Sequence, residues 1–264
     1  MASRAGLVTG GSSGIGKALA RTLGQEGYAV TISGRDPQKL AAAADELRSE
    51  GGAAEAVAAD LADERAIEEL VEAHRRAHGR MDVLVNSAAD GTAGLRIDEL
   101  PIDVLDHNLD VNLRALFLIL RASLPMLTAA GAEHGKALVV NVSSMAAKSG
   151  APGLSFYAAA KAGVNALTQS AQMELRDAGV QLTVLSPGFT ATPMASWARN
   201  AGVDPEEMIQ PSDLGEALRF LLRTSPTCLV RDIELVPRAQ DDIIRRLVAW
   251  RQAHSAASSR SRSA

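Results

Sequence analysis

The sequence predicts an α/β protein that folds as one domain, with a doubly wound parallel sheet of seven strands and helices on both faces. Three observations predict this fold. Short apolar runs alternate with longer segments of helical periodicity along most of the chain. A glycine-rich turn at 9–16 joins the first run to the first helical segment. No linker or internal repeat interrupts the alternation before about Asp242. Apolar strands joined by helices form parallel sheets that are covered on both faces.

Seven apolar runs are predicted as strands, because each is short, rich in aliphatic residues and bounded by Gly, Pro or polar residues. The third run is the weakest of the seven. The predicted strands cover residues 5–9, 28–33, 54–59, 81–86, 137–143, 181–186 and 232–236.

Helices are predicted between these strands from apolar periodicity and from residues that begin or end helices. Pro37 suits a first helical position, and Gly51, Gly79 and Gly179 follow the ends of helices. Pro125 lies near the end of the long fourth segment, which is predicted as one helix or a kinked pair. The predicted helices cover residues 15–26, 37–50, 63–78, 103–130, 157–178, 212–223 and 241–254.

The C-terminal end differs in composition from the rest of the chain. Residues 1–242 form the predicted domain, and residues 243–264 form a helix followed by a tail. From Ser255 the sequence contains only Ser, Ala and Arg, which predicts disorder. Five arginines and no acid follow Asp242, so the rest of the chain is more acidic than the overall net charge of −4.

Composition excludes several classes of protein. With 264 residues, of which 47% are hydrophobic and 22% charged, the chain can form a large core and is not wholly disordered. No uninterrupted apolar run approaches the roughly 20 residues that span a bilayer, and the turn at Thr9 leaves no room for a signal peptide. The single cysteine, Cys228, excludes an internal disulfide. We therefore expect a cytoplasmic protein with no membrane partner, in which Cys228 is a buried or partly buried thiol.

Nucleic acid and metal ions are not expected as ligands. The chain has only four Phe, two Trp and two Tyr, too few for base stacking to be a general strategy, and its body is acidic. His74 and His78 share one helix face, but no third ligand is evident, so they are interpreted as solvated helix residues.

The glycine-rich turn is the first candidate binding site. Gly10, Gly14 and Gly16 follow the pattern G-x-x-x-G-x-G between a strand and a helix. Glycine lets the backbone approach a pyrophosphate, and the helix N-terminus offers free N–H groups and partial positive charge. The turn also matches most of a nucleoside-triphosphate loop through Lys17, but Ala18 lacks the hydroxyl that would bind magnesium. Dinucleotide binding is therefore favoured.

The residues after the second strand indicate which dinucleotide binds. An acidic residue there would bind the ribose hydroxyls of NAD, whereas a basic residue accommodates the 2′-phosphate of NADP. This chain has Ser33 and Arg35, both able to donate to a phosphate, and no acid before Arg35. Asp36 is assigned to capping the next helix. NADP(H) is therefore favoured over NAD(H).

Tyr157 and Lys161 are the candidate reactive pair. They lie four residues apart, so they share one helix face. A nearby cation favours the phenolate, and this predicts a lowered pKa for Tyr157. Ser144, at the end of the fifth strand, and Asn112, in the preceding long helix, complete the candidate set.

Taken together, these motifs resemble the short-chain dehydrogenase/reductase family in its compact single-domain branch. The resemblance covers about residues 5–236 and implies a Rossmann-like fold. The motifs that carry it are Thr9-Gly-x-x-x-Gly-x-Gly16, Asn86-Ser-Ala-Ala89, Asn112, Ser144, Tyr157-x-x-x-Lys161 and Pro187-Gly188-x-x-x-Thr192.

The resemblance implies a role for each matching residue. Tyr157 is the expected general acid or base, Lys161 tunes the tyrosine and holds the nicotinamide ribose, Ser144 orients the substrate oxygen, and Asn112 positions a water. The cofactor contacts it implies, with the binding residues already given, are Gly10, Ser12, Ser13, Gly14, Ile15, Gly16, Ser33, Arg35, Asp60, Leu61, Asn86, Ser87, Ala88, Tyr157, Lys161, Pro187, Gly188, Thr190 and Thr192.

The segment after Thr192 corresponds to the family's substrate lid, so Phe189, Met194, Trp197 and Met208 are candidates for an apolar substrate pocket or for packing of the loop onto the domain.

The expected function is an NADP(H)-dependent oxidoreductase that interconverts a carbonyl and a secondary alcohol, as a homodimer or homotetramer. A catalytically silent NADP-binding regulatory protein and an NAD-dependent alcohol dehydrogenase remain as alternatives. The chain lacks the larger substrate domain of sugar epimerases, and Tyr157 and Lys161 are closer together than in enoyl reductases.

Overall fold

The computed structural model describes residues 4–91 and 94–262. Seven parallel strands form one sheet in the order β3-β2-β1-β4-β5-β6-β7, which confirms the predicted doubly wound fold. The strands are β1 Ala5–Thr9, β2 Ala29–Gly34, β3 Ala54–Ala58, β4 Val83–Asn86, β5 Ala137–Val142, β6 Val180–Pro187 and β7 Asp232–Leu235.

Within the described part of the chain, eight α-helices connect or follow the strands. They are α1 Gly14–Gln25, α2 Pro37–Ser49, α3 Glu64–His78, α4 Ile102–Leu109, α5 Ala115–His134, α6 Ser155–Leu175, α7 Pro211–Arg223 and α8 Gln240–Arg262. Short 3₁₀ turns occur at Met145–Ala147, Arg176–Ala178, Pro193–Ala201 and Pro205–Glu207.

Two apolar cores cover the two faces of the sheet. Successive strand residues point to opposite faces, so Val8 packs with Leu23 of α1 and Leu218 of α7, while Leu7 packs with Leu70 of α3 and Leu127 of α5. Strands covered on both faces cannot slip or separate without exposing both cores. The carboxyl ends of the strands are therefore held in fixed positions, and the side chains that follow them are presented at one edge of the sheet.

The long fourth helical segment is interrupted, as the kinked-pair alternative predicted. A π-helical turn at Asp110–Arg114 separates α4 from α5, and Pro125 lies inside α5 without ending it. By length and composition alone the stretch Ile102–His134 could cross a membrane, although Arg114 and Arg121 interrupt it. Its most apolar window is 56% buried within the protein, and α5 contributes ten buried residues, so packing against the sheet accounts for its apolar character.

The terminal helix is longer than predicted. The sequence interpretation ended it at His254 and assigned a disordered tail from Ser255, whereas in the structure α8 continues to Arg262. No Gly or Pro lies beyond Pro237 to end a helix, and Ala and Arg favour one. Its first turns pack onto the domain through the buried side chains of Ile243 and Leu247.

Two single-residue interpretations from the sequence are wrong. Cys228 is exposed rather than buried, because it lies in the loop before β7. His74 is fully buried rather than solvated. Its Nε2 lies 3.0 Å from the Arg80 carbonyl oxygen, so Nε2 is the donor and Nδ1 accepts from the Thr31 hydroxyl at 2.8 Å. Burial therefore lowers the pKa of His74 to about 4, with a smaller contribution from His78.

This buried imidazole predicts acid-sensitive stability. Below pH 6.5 the unfolded chain binds a proton at His74, whereas the folded chain stays neutral until about pH 4. The contribution of neutral His74 to the free energy of unfolding is therefore complete above pH 6.5. It falls as the pH drops through this window, by about 2 kcal/mol between pH 7 and pH 5. Burial also lowers the pKa of His78, which acts in the same direction.

Urea unfolding at the two pH values measures this loss. We expect His74→Gln to remove most of the pH dependence of the unfolding free energy. His107→Gln is the control, because His107 lies on α4, away from His74, and we expect it to keep that dependence. An unfolding free energy of the wild-type protein that is equal at pH 7 and pH 5 would show that His74 is not a buried neutral group.

Candidate active site

A cleft of about 570 Å³ lies at the carboxyl edge of the sheet. Parallel α/β sheets bind ligands at this edge, where the strand order reverses between β1 and β4. Of the residues named from the sequence as candidate site residues, those that line the cleft are Gly10, Ser12, Ser13, Gly14, Ile15, Gly16, Ser33, Arg35, Asp60, Leu61, Ser87, Ala88, Ser144, Tyr157, Lys161, Pro187, Gly188, Phe189, Thr190, Thr192, Met194 and Trp197. Asn86, Asn112 and Met208 are the exceptions.

The glycines of the glycine-rich turn bring its backbone close to the cleft. Gly10 and Gly14 have φ values of 69° and 53°, in the left-handed region that favours glycine. A Cβ at Gly16 would collide with the carbonyl oxygen of Gly10. Helix α1 begins here, and its N-cap residue Ser13 makes no side-chain hydrogen bond to the first turn. The N–H groups of that turn are therefore available to an anion.

The ends of β2 and β3 form the far side of the cleft. Arg35 is exposed along the cleft wall, and Ser33 lies behind it, fully buried, with a hydroxyl that has no partner among the described residues. Asp36 accepts hydrogen bonds from the N–H groups of Gln38 and Lys39 at 3.0 and 3.1 Å, which confirms that it caps α2. The nearest acid after β2 is thus engaged by the helix, and Arg35 is the charged side chain presented there.

Ser144 and Tyr157 come together at the opposite end of the cleft. Ser144 follows β5, and its Oγ accepts a hydrogen bond from the Ala146 N–H at 3.1 Å, which fixes the hydroxyl at the cleft wall. Tyr157 lies in the first turn of α6. Burial raises the pKa of Tyr157, a hydrogen bond with Ser144 partly opposes the rise, and the Asp90 carboxylate adds to it.

The prediction of a lowered tyrosine pKa is therefore wrong for this arrangement. The Lys161 ammonium lies 5.8 Å from the centre of the Tyr157 ring and donates instead to the Val142 carbonyl oxygen at 3.0 Å. Only 3% of Lys161 is exposed, and burial lowers the pKa of this ammonium to about 8. The raised pKa of Tyr157 keeps the phenol protonated but makes it a weaker acid than a phenol tuned toward neutral pH.

Asn112 lies beside the cleft rather than in its wall. It is buried in the π-helical turn, and its Nδ2 donates to the Asp90 carbonyl oxygen at 3.0 Å. Asn108, one turn earlier, donates to the same oxygen at 3.2 Å. Two amides thus hold the strand-following loop at Asp90. The Oδ1 atom of Asn112 is buried without a partner among the described residues, so an acceptor remains for a water or a ligand group.

The side chain of Asn86 is engaged inside the sheet, and its predicted contact with the cofactor stays a prediction. Its Nδ2 donates to Asn141 Oδ1 at 2.8 Å, and Asn141 donates to the Thr168 hydroxyl at 2.9 Å. This buried chain ties β4 and β5 to α6. The signal was present in the sequence, since an Asn occurs in each of two neighbouring parallel strands, but their register was needed to pair them.

Two threonines hold the loops around the cleft. Thr9 Oγ1 accepts from the N–H groups of Ser87 and Ala88, both at 3.1 Å, which joins the ends of β1 and β4. Thr192 reaches the glycine-rich turn from the other side, because a Cβ at Gly14 would lie 3.1 Å from its methyl group. The segment that begins at Thr192 and the glycine-rich turn thus meet across the cleft.

The substrate end contains more than the predicted lid residues. Phe189, Met194 and Trp197 line it, whereas Met208 is buried in an apolar cluster. Phe189 and Trp197 also pack against that cluster, so they combine the two predicted alternatives of pocket lining and loop packing. Sequence interpretation missed the loop after β5, which includes Met145 and Leu154, and two residues of the terminal helix. Among the described residues no group of three or more His, Cys, Asp and Glu side chains is placed to hold a metal ion.

The fold and cleft define a dinucleotide-binding α/β protein, and comparisons with known proteins identify its family. The sequence profile of the short chain dehydrogenases matches residues 4–202. The chain therefore belongs to the short-chain dehydrogenase/reductase family and is an oxidoreductase. An uncharacterized oxidoreductase of Staphylococcus epidermidis is 30% identical to it, over 88% of this chain and 96% of that one.

Solved structures support the same assignment. A metagenomic short-chain oxidoreductase in complex with NADP is 34% identical, with a TM-score of 0.76 over 89% of this chain and 96% of that one. The 3-ketoacyl-(acyl-carrier-protein) reductase of Brucella melitensis, complexed with NADH, is 29% identical, with a TM-score of 0.78 over 88% of this chain and 96% of that one. The two neighbours thus carry different dinucleotides.

Proposed function

We propose that this protein is an NADP(H)-dependent oxidoreductase that interconverts a ketone or aldehyde and an alcohol. The observation that carries the proposal is that Ser144, Tyr157 and Lys161 line the same cleft as the glycine-rich turn and Arg35. The likeness to a 3-ketoacyl reductase supports a carbonyl substrate.

The residues of the cleft fit a dinucleotide along its length. The free N–H groups of the first turn of α1 bind the pyrophosphate, and the missing side chain at Gly16 lets the helix pack closely against the backbone of Gly10, which holds those N–H groups in place. Asp60 and Leu61 follow β3 and bound the adenine end. Arg35 binds the 2′-phosphate, for which its guanidinium geometry is suited. Pro187, Gly188, Thr190 and Thr192 border the nicotinamide end of the cleft.

At the reacting end the protein moves a proton. A bound nicotinamide supplies the hydride to the carbonyl carbon in reduction and accepts it in oxidation. The Ser144 hydroxyl donates a hydrogen bond to the substrate oxygen and holds it beside the Tyr157 hydroxyl. Tyr157 then gives its proton to that oxygen, and its raised pKa keeps it protonated until the reaction begins. The Lys161 ammonium stabilises the phenolate that results.

A screen of NADPH oxidation with a panel of neutral ketones tests this function. We expect turnover of at least one ketone and a matching alcohol product. NADPH binding without turnover of any ketone or oxidation of any secondary alcohol would instead support a silent regulatory protein.

Cofactor selection gives a separate prediction for Arg35. We expect Arg35→Ala to weaken NADPH binding by roughly 10- to 100-fold and to leave NADH binding nearly unchanged, since it removes one charge-assisted contact to the 2′-phosphate. Fluorescence titration with both cofactors measures the ratio. Lys39→Ala is the matched control, because Lys39 is an exposed cation of α2 outside the cleft lining. NADH binding as tight as NADPH binding in the wild-type protein would show that Arg35 does not select NADP.

We further propose a cytoplasmic homodimer or homotetramer. Phe117 on α5 and Met173 on α6 are 49% and 74% exposed, and large apolar side chains at a surface favour association. Light scattering coupled to size-exclusion chromatography measures the assembly, and a monomer at micromolar concentration would contradict it.

A further inference from the structure

The terminal helix α8 supplies two side chains to the cleft. Gln240 and Ile244 both line it. They lie four residues apart, so they share one helix face. The strand-and-lid motifs that identify the family end before this helix, and so does the match to the family profile. The part of the wall that α8 forms therefore lies outside the residues matched by the family profile.

Helix α8 is held against the segment that follows Thr192 by apolar packing and by an ion pair. Ile243 and Leu247 are buried against Ala198, Val203 and Met208 of the segment that follows Thr192. Arg246 donates two hydrogen bonds to the Glu207 carboxylate at 3.0 and 2.9 Å, and one to the Gly202 carbonyl oxygen at 2.8 Å. The orientation of Gln240 toward the cleft is thus set by packing and by a two-point ion pair.

Gln240 carries an unsatisfied polar atom. Its side-chain Oε1 is buried and has no hydrogen-bond partner among the described residues. The oxygen occupies the space that Gly188 leaves open, since a Cβ at Gly188 would collide with it. A buried acceptor without a donor is destabilising, and such atoms in native proteins call for an explanation. Rotation about the Cγ–Cδ bond can turn this oxygen toward a donor in the cleft.

The surroundings of Gln240 are uncharged. Within the described lining of the cleft the charged side chains are Arg35, Asp60 and Lys161. Arg35 and Asp60 follow β2 and β3, which lie near one edge of the sheet. Gly188 follows β6, which lies near the other edge. Lys161 is buried beneath Tyr157 and bonded to Val142. A ligand group that reaches Gln240 therefore meets an amide among apolar walls, which favours a neutral donor over an ion.

We propose that Gln240 is a specificity-determining residue, whose side-chain oxygen accepts a hydrogen bond from a hydroxyl or N–H group of a neutral substrate, away from the reacting carbonyl. The substrate class is then an uncharged, largely apolar ketone or alcohol that bears such a donor. This inference rests on the proposed function of the cleft, and it adds a recognition point on the part of the wall that α8 forms.

A matched set of ligands tests the proposal. The probes are 4-phenylbutan-2-ol and its 2-, 3- and 4-hydroxyphenyl analogues, which place a hydroxyl at different distances from the reacting carbon. Calorimetric titration into the NADPH-saturated protein measures binding without reaction, because alcohol and cofactor are both reduced. We expect at least one hydroxyl isomer to bind roughly threefold to tenfold more tightly than the parent alcohol, the factor of one neutral hydrogen bond.

Gln240→Leu, which replaces the amide with an apolar side chain one atom shorter, is expected to bring that ratio close to one. Ile244→Leu, which changes the neighbouring apolar wall, is expected to keep it. An equal ratio in wild type and Gln240→Leu would overturn the proposal, as would no gain from any hydroxyl isomer. A Gln240→Leu variant with weaker NADPH binding and an unchanged ratio would assign the amide to the cofactor, which also overturns it. Failure of the function itself is seen separately, as absence of ketone turnover in the screen.

Discussion

Replacing Tyr157 with phenylalanine is expected to lower kcat for ketone reduction by roughly 10²- to 10⁴-fold, the contribution of a positioned general acid. The substitution removes only the hydroxyl, so the ring and its packing at the start of α6 remain. NADPH binding should therefore change little, since the phosphate-binding turn and Arg35 lie at the other end of the cleft. Steady-state kinetics and a cofactor titration measure the two effects separately.

Tyr28→Phe is the matched control, because the chain has one other tyrosine. Tyr28 is 8% exposed, packs in the core beside α1 and lies outside the cleft lining. Its hydroxyl accepts a hydrogen bond from Arg4 at 3.3 Å, so a small loss of stability with unchanged kcat is expected. Turnover by Tyr157→Phe close to that of Tyr28→Phe would mean that the proton comes from another group.

Replacing Gly16 with alanine is expected to weaken NADPH binding by roughly 100-fold or more, the equivalent of losing one or two charge-assisted hydrogen bonds. The added Cβ would collide with the Gly10 carbonyl oxygen, so the turn must move. This movement displaces the N–H groups that would face the phosphates. A fluorescence titration with NADPH measures the affinity, and circular dichroism establishes that the variant is folded.

Gly24→Ala gives the comparison within the same helix. A Cβ at Gly24 has open space, with its nearest neighbour at 3.7 Å, and alanine favours a helix over glycine. We expect unchanged NADPH affinity and equal or higher stability. If folded Gly16→Ala binds NADPH as tightly as Gly24→Ala does, the glycine-rich turn is not the pyrophosphate site.

Local patterns were sufficient to predict the sheet and the glycine-rich turn between β1 and α1. Apolar runs and glycines are short-range signals, and both faces of the sheet are covered, so few alternative registers are available. The same holds for Asp36, whose capping role follows from its place immediately before Pro37. Tyr157, Lys161 and Ser144 were identified by family spacing, and the fold brings them into one cleft.

Long-range pairing explains what the sequence did not show. Asn86 faces Asn141 only because β4 and β5 are adjacent in a particular register, and His74 is buried only because α3 packs over Thr31 of β2. The direction of the Tyr157 pKa shift depends on how far Lys161 lies from the hydroxyl end and on burial, neither of which spacing determines. Gln240 lies 32 residues beyond Met208, the nearest residue predicted for the pocket, and packing of α8 brings it to the cleft.

Hydride transfer from NADPH to the ketone is the central step of the proposed function. Wild-type protein is incubated with a neutral ketone that it turns over and with NADPH that carries deuterium at both C4 positions, and the alcohol product is analysed by mass spectrometry. We expect one deuterium on the carbinol carbon, and we expect product formation to be nearly lost in Tyr157→Phe. Alcohol without deuterium at that carbon would contradict hydride transfer from NADPH. The same labelled product at an unchanged rate from Tyr157→Phe would contradict the role of Tyr157 as proton donor.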